Sequence, residues 1–193
     1  METIGINSVH TAGAYVLVGG LHLFVLGAGL HQGRLPVYRL GGHRLAHETA
    51  WQCAAREVYE EARLQITPLA PPVTCYADGD QADPQLAEIH WEGAAEQEPT
   101  PLLVVSACRE GETRLSIMYL AQADGPPLPS SEVKGLLLLD EGQIHRLCRQ
   151  TLTLGQYLDG GGKAILNGDF DRSLALEPFL QLRLLDKMLT AAV

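Results

Sequence analysis

GGHRLAHETAWQCAAREVYEEARLQI, residues 41–66, decides how this chain is read. Thr49-Ala50-Trp51-Gln52 fits a capping box, in which the hydroxyl takes an early backbone N–H and the Gln reaches back, so a helix is predicted to begin near Thr49. It must end before Pro68, which cannot continue it. At about 100° per residue, Trp51, Ala55, Val58 and Ala62 fall on one stripe, and Glu57, Glu60 and Glu61 on a second stripe roughly 140° away. One face packs and the other presents oxygen. Carboxylates three and four residues apart repel, and a helix with only structure to serve usually alternates its charges there. Something positive is expected to sit among them.

Three carboxylates within a turn suit a hard divalent cation, because Mg²⁺ takes oxygen ligands, keeps several waters and completes its shell with substrate phosphates. The flanking residues favour this over a generic acidic helix. Gly41-Gly42 ends a predicted strand, where missing Cβ atoms let the backbone approach a ligand or a metal closely. Glu48 sits just before the cap, near the positive end of the helix dipole and within reach of Arg56 or of a metal-bound water. Arg56 could hold a carboxylate bidentately and fix its rotamer.

Outward from the helix, AYVLV, Gly19-Gly20 and LHLFVL read as a tight hairpin, since paired glycines accept the positive φ angles such turns need. LPVYRL, residues 35–40, reads as one further strand running into the double glycine. Beyond the helix, VTCYA, PLLVVSAC, RLSIMYLAQA and GLLLLD are predicted strands. DEGQIHRLCRQ is a short predicted helix, and LEPFLQLRLLDKMLTAA a longer one with Leu180, Leu184, Leu185, Met188 and Leu189 at helical spacing. Mixed strands flanked by helices imply an α/β or α+β sandwich. Residues 76–100 carry several acids and no Lys or Arg, and are read as a solvated excursion, with a lid or a dimer-exchange element anchored by Trp91 as the alternative. The expected organisation is one domain over residues 1–193, with that excursion and a C-terminal helical extension at about 151–193.

The 193-residue chain has a formal net charge of −9 and no run of basic residues, which argues against nucleic acid polymers and anionic membranes as partners. Its four cysteines form no CxxC pair, so a zinc knuckle or redox dithiol is unsupported and buried free thiols are expected. METIGINSVH lacks a basic start and an apolar core, and no apolar run reaches the length of a membrane span; a soluble cytoplasmic protein is expected.

Gly42, five residues, Glu48, seven residues, then Arg56-Glu57-Val58-Tyr59-Glu60-Glu61-Ala62-Arg63-Leu64 resemble the Nudix box, G-x5-E-x7-R-E-U-x-E-E-x-G-U with U apolar, at every specified position except one. The surroundings agree: a hairpin before the box, a strand like RLSIMYLAQA after it, then Glu132 leading into GLLLLD. The resemblance implies an αβα sandwich with a mixed sheet that binds Mg²⁺ or Mn²⁺ and hydrolyses a nucleoside diphosphate linked to another moiety. By match of position, Glu57, Glu60 and Glu61 would be metal ligands, Arg56 would orient a glutamate, Glu48 would join that network and the Gly41 carbonyl would add a ligand. Family members place the general base either in the box helix or in a later loop, and Glu132 is the candidate outside the box, against its reading as an exposed strand-edge Glu. The implied partner is a small nucleotide-type diphosphate. The acidic excursion and the C-terminal helix are the surfaces on which a homodimer could form.

Arg63 stands where the family has its final Gly, a residue that supports a left-handed backbone at the helix end. A side chain there costs on the order of 1 kcal/mol, or the helix runs on. Leu45 replaces an acid that many members carry, and Leu40 a proline. Arg39 and Arg44, with His43, His47 and Gly42, are candidates for contact with substrate phosphates. His22, Trp51 and Tyr119 are expected to pack or satisfy local hydrogen bonds, and Gly160-Gly161-Gly162 lacks the ending of a phosphate loop. Arg63, Leu45 and the acidic excursion motivate the competing reading, a Nudix-like module that binds a nucleotide or metabolite without turning it over. An isomerase on the same fold has less behind it, since no cysteine lies in an evident active-site motif.

Overall fold

Gly19 and Gly20 take φ angles of 56° and 81°, as a two-residue hairpin demands, and join β1 (Val9–Val18) to β2 (Leu21–Leu26). The computed structural model describes residues 9–27, 29–91, 98–131 and 133–191. It continues through β3 (Leu35–Tyr38), β4 (Leu40–His43), α1 (Ala50–Ala62), β5 (Thr67–Pro68), β6 (Thr74–Asp78), β7 (Ala87–Ile89), β8 (Leu103–Arg109), β9 (Glu112–Ala123) and β10 (Gly135–Leu139). The chain then runs through α2 (Glu141–Arg149), α3 (Leu154–Asp159), β11 (Lys163–Leu166), β12 (Leu176–Pro178) and α4 (Leu180–Ala191). A mixed sheet carries the order β11-β10-β2-β1-β9-β8-β6-β7, with β3, β4, β5 and β12 branching from it. The long central pair, β1 and β9, is parallel.

Alternation along the strands sends side chains to two cores. Ala14, Val16, Leu23 and Val25 join Ala50, Cys53, Ala54, Val58 and Ala62 of α1 on one face, whereas Tyr15, Phe24 and Leu26 join Ile144, Leu147, Leu182, Leu184 and Leu185 of α2 and α4 on the other. Helix, sheet and helix are therefore stacked, as expected of the α+β sandwich. The apolar face of α4 is used within the chain. Among the described residues no helix is long and apolar enough to cross a membrane.

Several expectations change. The buried stripe of α1 is Ala50, Cys53, Ala54, Val58 and Ala62, while Trp51 is only half-buried, edge-on to Tyr119 at 5.2 Å. Small side chains let the helix lie close to the sheet, and the indole is left at its flank. Residues 35–40 are not one strand: β3 pairs with β2 and β12, β4 pairs with β1, and Arg39 marks the break. The excursion begins inside β6 and holds β7, which pairs antiparallel with β6 through Tyr76 and Ala87, so its described part is sheet edge as well as loop. Its acids have partners from distant segments: Asp80 accepts from the Cys108 N–H and Arg109, and Asp83 from Lys187. Trp91 packs, partly buried, against the core beneath α1. Residues 92–97 lie outside the described residues.

Of the thiols, Cys53 and Cys75 are buried and Cys148 is half-buried, but Cys108 is exposed, contrary to expectation. His22 is buried on β2, where its Nδ1 has no hydrogen-bond partner among the described residues, and its pKa is lowered by burial.

The predicted cap is present in both halves: Thr49 Oγ1 accepts from the Gln52 N–H at 3.2 Å, and Gln52 Oε1 accepts from the Thr49 N–H at 2.9 Å. Thr49→Ala is expected to lower the stability of the chain by about 1 kcal/mol. Chemical denaturation checks this; an unshifted midpoint would show that α1 is held by packing alone.

Candidate active site

Strand β4 and the second half of α1 are pressed together at two glycines. Gly41 has a φ of 138°, and a side chain there would run into the Arg39 guanidinium and the Ala12 carbonyl. A Cβ on Gly42 would lie 2.5 Å from the Glu57 carboxylate. The missing side chains let a helix carboxylate rest directly on strand backbone, and the Gly41 N–H donates to Glu61 Oε2 at 2.9 Å.

Arg56 is the hub of the acidic face. Its Nε and Nη2 donate to the two oxygens of Glu48 at 2.6 and 3.1 Å, while Nη1 donates to both Glu57 Oε1 and Glu60 Oε2 at 2.8 Å. Nη2 also donates to the His43 carbonyl at 3.0 Å. The fork of donors matches a bidentate carboxylate, which a lysine could not do. Glu48 takes a further N–H from Leu45, and its hydrogen bonds to Arg56 hold its carboxyl below the usual range. The same contacts raise the pKa of Arg56. Glu48, half-buried, thereby braces Arg56.

Arg39 and Arg44, the candidates for substrate contact, both donate to backbone carbonyls. The Arg39 guanidinium lies in a slot formed where Gly13 and Gly41 lack side chains, and its Nη1 donates to the Ala12 carbonyl at 3.1 Å. Burial pushes its pKa down, opposed by Glu61 and Glu57 among others. It is a positive charge behind the acidic stripe. Arg44 donates from Nε to the Val9 carbonyl and from Nη1 to the Glu48 carbonyl, at 2.9 and 2.7 Å, and so pins the loop between β4 and α1. His43 and His47 are exposed.

At its C-terminal end α1 stops at Arg63, whose φ of 57° and ψ of 28° place it in the left-handed region. The helix does not run on; an arginine adopts the conformation that glycine favours. The last-turn carbonyls of Glu61 and Ala62 accept from the Ser130 and Leu128 N–H groups at 3.1 and 2.9 Å, and the Arg63 guanidinium lies 5.5 Å from the Tyr59 ring. The loop that satisfies these carbonyls is thereby docked beside the carboxylates.

Glu57, Glu60 and Glu61 line one cleft of about 260 Å³, together with Val25, Leu26, Gly27, Ser130 and Val133. These last five were missed in the sequence, where nothing local marks them. Ser130 is itself fixed by Asn167, whose side chain donates to its carbonyl. Glu132 lies outside the described residues. Among the described residues no three His, Cys, Asp or Glu side chains converge as a ready-made ligand set: Glu57 and Glu60 turn to Arg56, and Glu61 to the Gly41 N–H.

No family model matches the sequence, and no curated protein matches it significantly. The fold is similar to solved structures, many of them Nudix hydrolases. A NUDIX-family hydrolase from Clostridium perfringens is 17% identical over 70% of this chain and 83% of its own, with a TM-score of 0.46. RenU, a Nudix hydrolase from M. smegmatis, is 22% identical over 70% and 73%, at 0.43. An Ap4A hydrolase from C. elegans is 16% identical over 69% and 81%, at 0.42. Likenesses this distant leave the chemistry to be argued from the residues themselves.

Burial raises the Glu61 pKa to about 7, with Glu57 and Glu60 pushing the same way and the Gly41 N–H and Arg39 opposing them. The folded chain therefore keeps a proton that the unfolded chain releases from about pH 4.5 upward, so this carboxyl progressively destabilises the fold as pH rises from about 4.5 to 7. Glu61→Gln is expected to stabilise the metal-free protein at pH 8 by about 1–3 kcal/mol and to leave it little changed at pH 4.5. Thermal unfolding in chelator at both pH values checks the sign; equal effects at the two would remove the buried-charge explanation.

Proposed function

We propose that this chain is a Nudix-type hydrolase that uses Mg²⁺ or Mn²⁺ at Glu57, Glu60 and Glu61 to cleave the diphosphate linkage of a nucleoside diphosphate joined to another moiety. The observation that carries the reading is the cleft itself, floored by three carboxylates from a single turn of α1. Such a floor repels a diphosphate unless cations intervene. When ionised, the four carboxylates of Glu48, Glu57, Glu60 and Glu61 face the two guanidiniums of Arg39 and Arg56, which leaves two negative charges uncompensated. An all-oxygen donor set with that residue of charge fits a hard divalent cation. Gly41 is proposed to add its carbonyl.

A cation bound there supplies positive charge against the diphosphate and makes water more acidic. The chain's own residues supply the rest. Arg56 orients Glu57 and Glu60, Glu48 holds Arg56, and Gly42 leaves the Glu57 carboxylate room to sit at the cleft floor. The water's proton is taken by a carboxylate of α1, with Glu132 the candidate outside the box. Arg39 and Arg44 position the carboxylates and their loop. The reading carries with it a small-molecule partner, a cytoplasmic site of action and a homodimer whose candidate surface is the acidic excursion, since the apolar face of α4 is already covered.

One observation favours the competing reading, a module that binds without turnover: Arg56 already engages Glu57 and Glu60, and no ligand set is preformed among the described residues. A panel of dinucleotides, nucleotide sugars and nucleoside triphosphates with Mg²⁺ or Mn²⁺ separates the two. The hydrolase should release a mononucleotide or phosphate from at least one member, and Glu60→Gln and Glu61→Gln should each lower the rate by about 100-fold or more. Activity that survives both substitutions removes the mechanism, and a ligand-induced thermal shift without turnover of any member favours the module.

A further inference from the structure

We propose that Tyr38 and Phe179 form a stacking platform beside the acidic cleft, for a flat heteroaromatic ring carried by the diphosphate substrate. The inference rests on the nucleoside diphosphate reading above and adds the residues that hold the base. Tyr38 is 37% exposed at the end of β3. Its ring centroid lies 4.4 Å from that of Phe179, with the planes at 53°, and Phe179 lies 5.2 Å from the His31 ring. The three rings come from separate parts of the chain: the β2–β3 connection, β3, and the β12–α4 junction. The Phe179 N–H donates to the Val37 carbonyl at 3.1 Å, which fixes that junction to β3. His31 Nδ1 pairs with Glu177 Oε2 at 2.7 Å, which holds the imidazole at the platform's rim.

The platform continues the cleft. Tyr38 is the cross-strand partner of Val25, and paired residues of neighbouring strands share a face. Val25 and Gly27 both line the cleft with Glu57, Glu60 and Glu61. A Cβ on Gly27 would come within 2.8 Å of the Tyr38 ring and 2.7 Å of the Pro36 ring, so the bare backbone of Gly27 is the seam between the two surfaces. Helix α1 packs over β1, β4 and β9. A ring stacked on Tyr38 would keep its attached diphosphate at the carboxylates without adding a charge to an acidic site. Stacking on exposed aromatics is tolerant of which base is presented.

The test uses the full chain with Mg²⁺ and two probes that resist hydrolysis, α,β-methylene ADP and methylenediphosphonate. Tyr38→Ala and Phe179→Ala should each weaken the adenine-bearing probe by about tenfold and the base-free probe by less than about twofold, with Tyr38→Phe restoring affinity. Saturation transfer from the wild-type protein to the adenine ring protons should be lost in Tyr38→Ala. Equal loss for both probes, no loss for either, or no transfer to adenine in the wild type overturns the platform. So does a Tyr38→Ala variant that dissociates a dimer in sedimentation while its adenine signals are unaltered, which would mark the rings as a contact between copies. Because the probes report binding, turnover of the substrate panel is decided separately: hydrolysis with no effect of Tyr38→Ala sinks the platform alone, and adenine stacking without hydrolysis of any member sinks the hydrolase alone.

Discussion

One guanidinium holds this site together. Arg56 reaches Glu48, Glu57, Glu60 and the His43 carbonyl, and so ties the loop before α1 to two successive turns of the helix. Without it, carboxylates three and four residues apart would repel at close range in a partly water-excluded cleft, where charge interactions are stronger than in bulk water. Glu48 completes the arrangement from the other side. Its carboxylate is mostly shielded from solvent, which makes its pair with Arg56 more rigid than an exposed one and more costly to break from one side alone.

Arg39 sets a second positive charge behind the buried side of the stripe, donating to backbone carbonyls where Arg56 donates to the carboxylates themselves. The two residues reach it by different routes. Arg56 is on the helix itself, whereas Arg39 enters between two strands through a slot that exists because Gly13 and Gly41 have no Cβ. The pair offsets the acids incompletely, and the imbalance falls on Glu61, the carboxylate whose pKa burial has raised to about 7. Ionising that desolvated carboxyl costs the free protein stability, so the charge at this end of the stripe is the one least compensated by the chain itself.

Local signals carried well from sequence to structure, and pairing signals did not. The capping box at Thr49 and the hairpin at Gly19-Gly20 each depend on a few adjacent residues, and each was legible, whereas the sequence left open whether α1 ends at Arg63 or runs on. LPVYRL was not, because an apolar run reads as one strand until its partners are known, and here β3 and β4 pair with different neighbours. The contact of Arg39 with the Ala12 carbonyl gave no signal because its slot depends on Gly13, which lies on another strand. The cleft wall of Val25, Gly27, Ser130 and Val133 gave no signal for the same reason: it is assembled from β2 and from the loop that caps the last turn of α1. Arg63 was recognised as a departure, but the means of tolerating it, two N–H groups from residues 128 and 130, could only be seen in the fold.

The unequal covering of the two faces of the sheet explains where specificity can arise. On one face α2 and α4 pack against the strands and their apolar side chains are consumed. On the other, α1 is a single short helix with small buried residues, so it lies close over β1, β4 and β9 and reaches no further. The sheet at β2 and β3 is then bounded by segments that the box does not contain. The C-terminal segment serves both faces at once, since β12 pairs with β3 while α4 closes the opposite core. Residue changes near Phe179 can therefore alter what lies beside the cleft without touching the carboxylates, whereas changes in α1 alter the carboxylates and the core together.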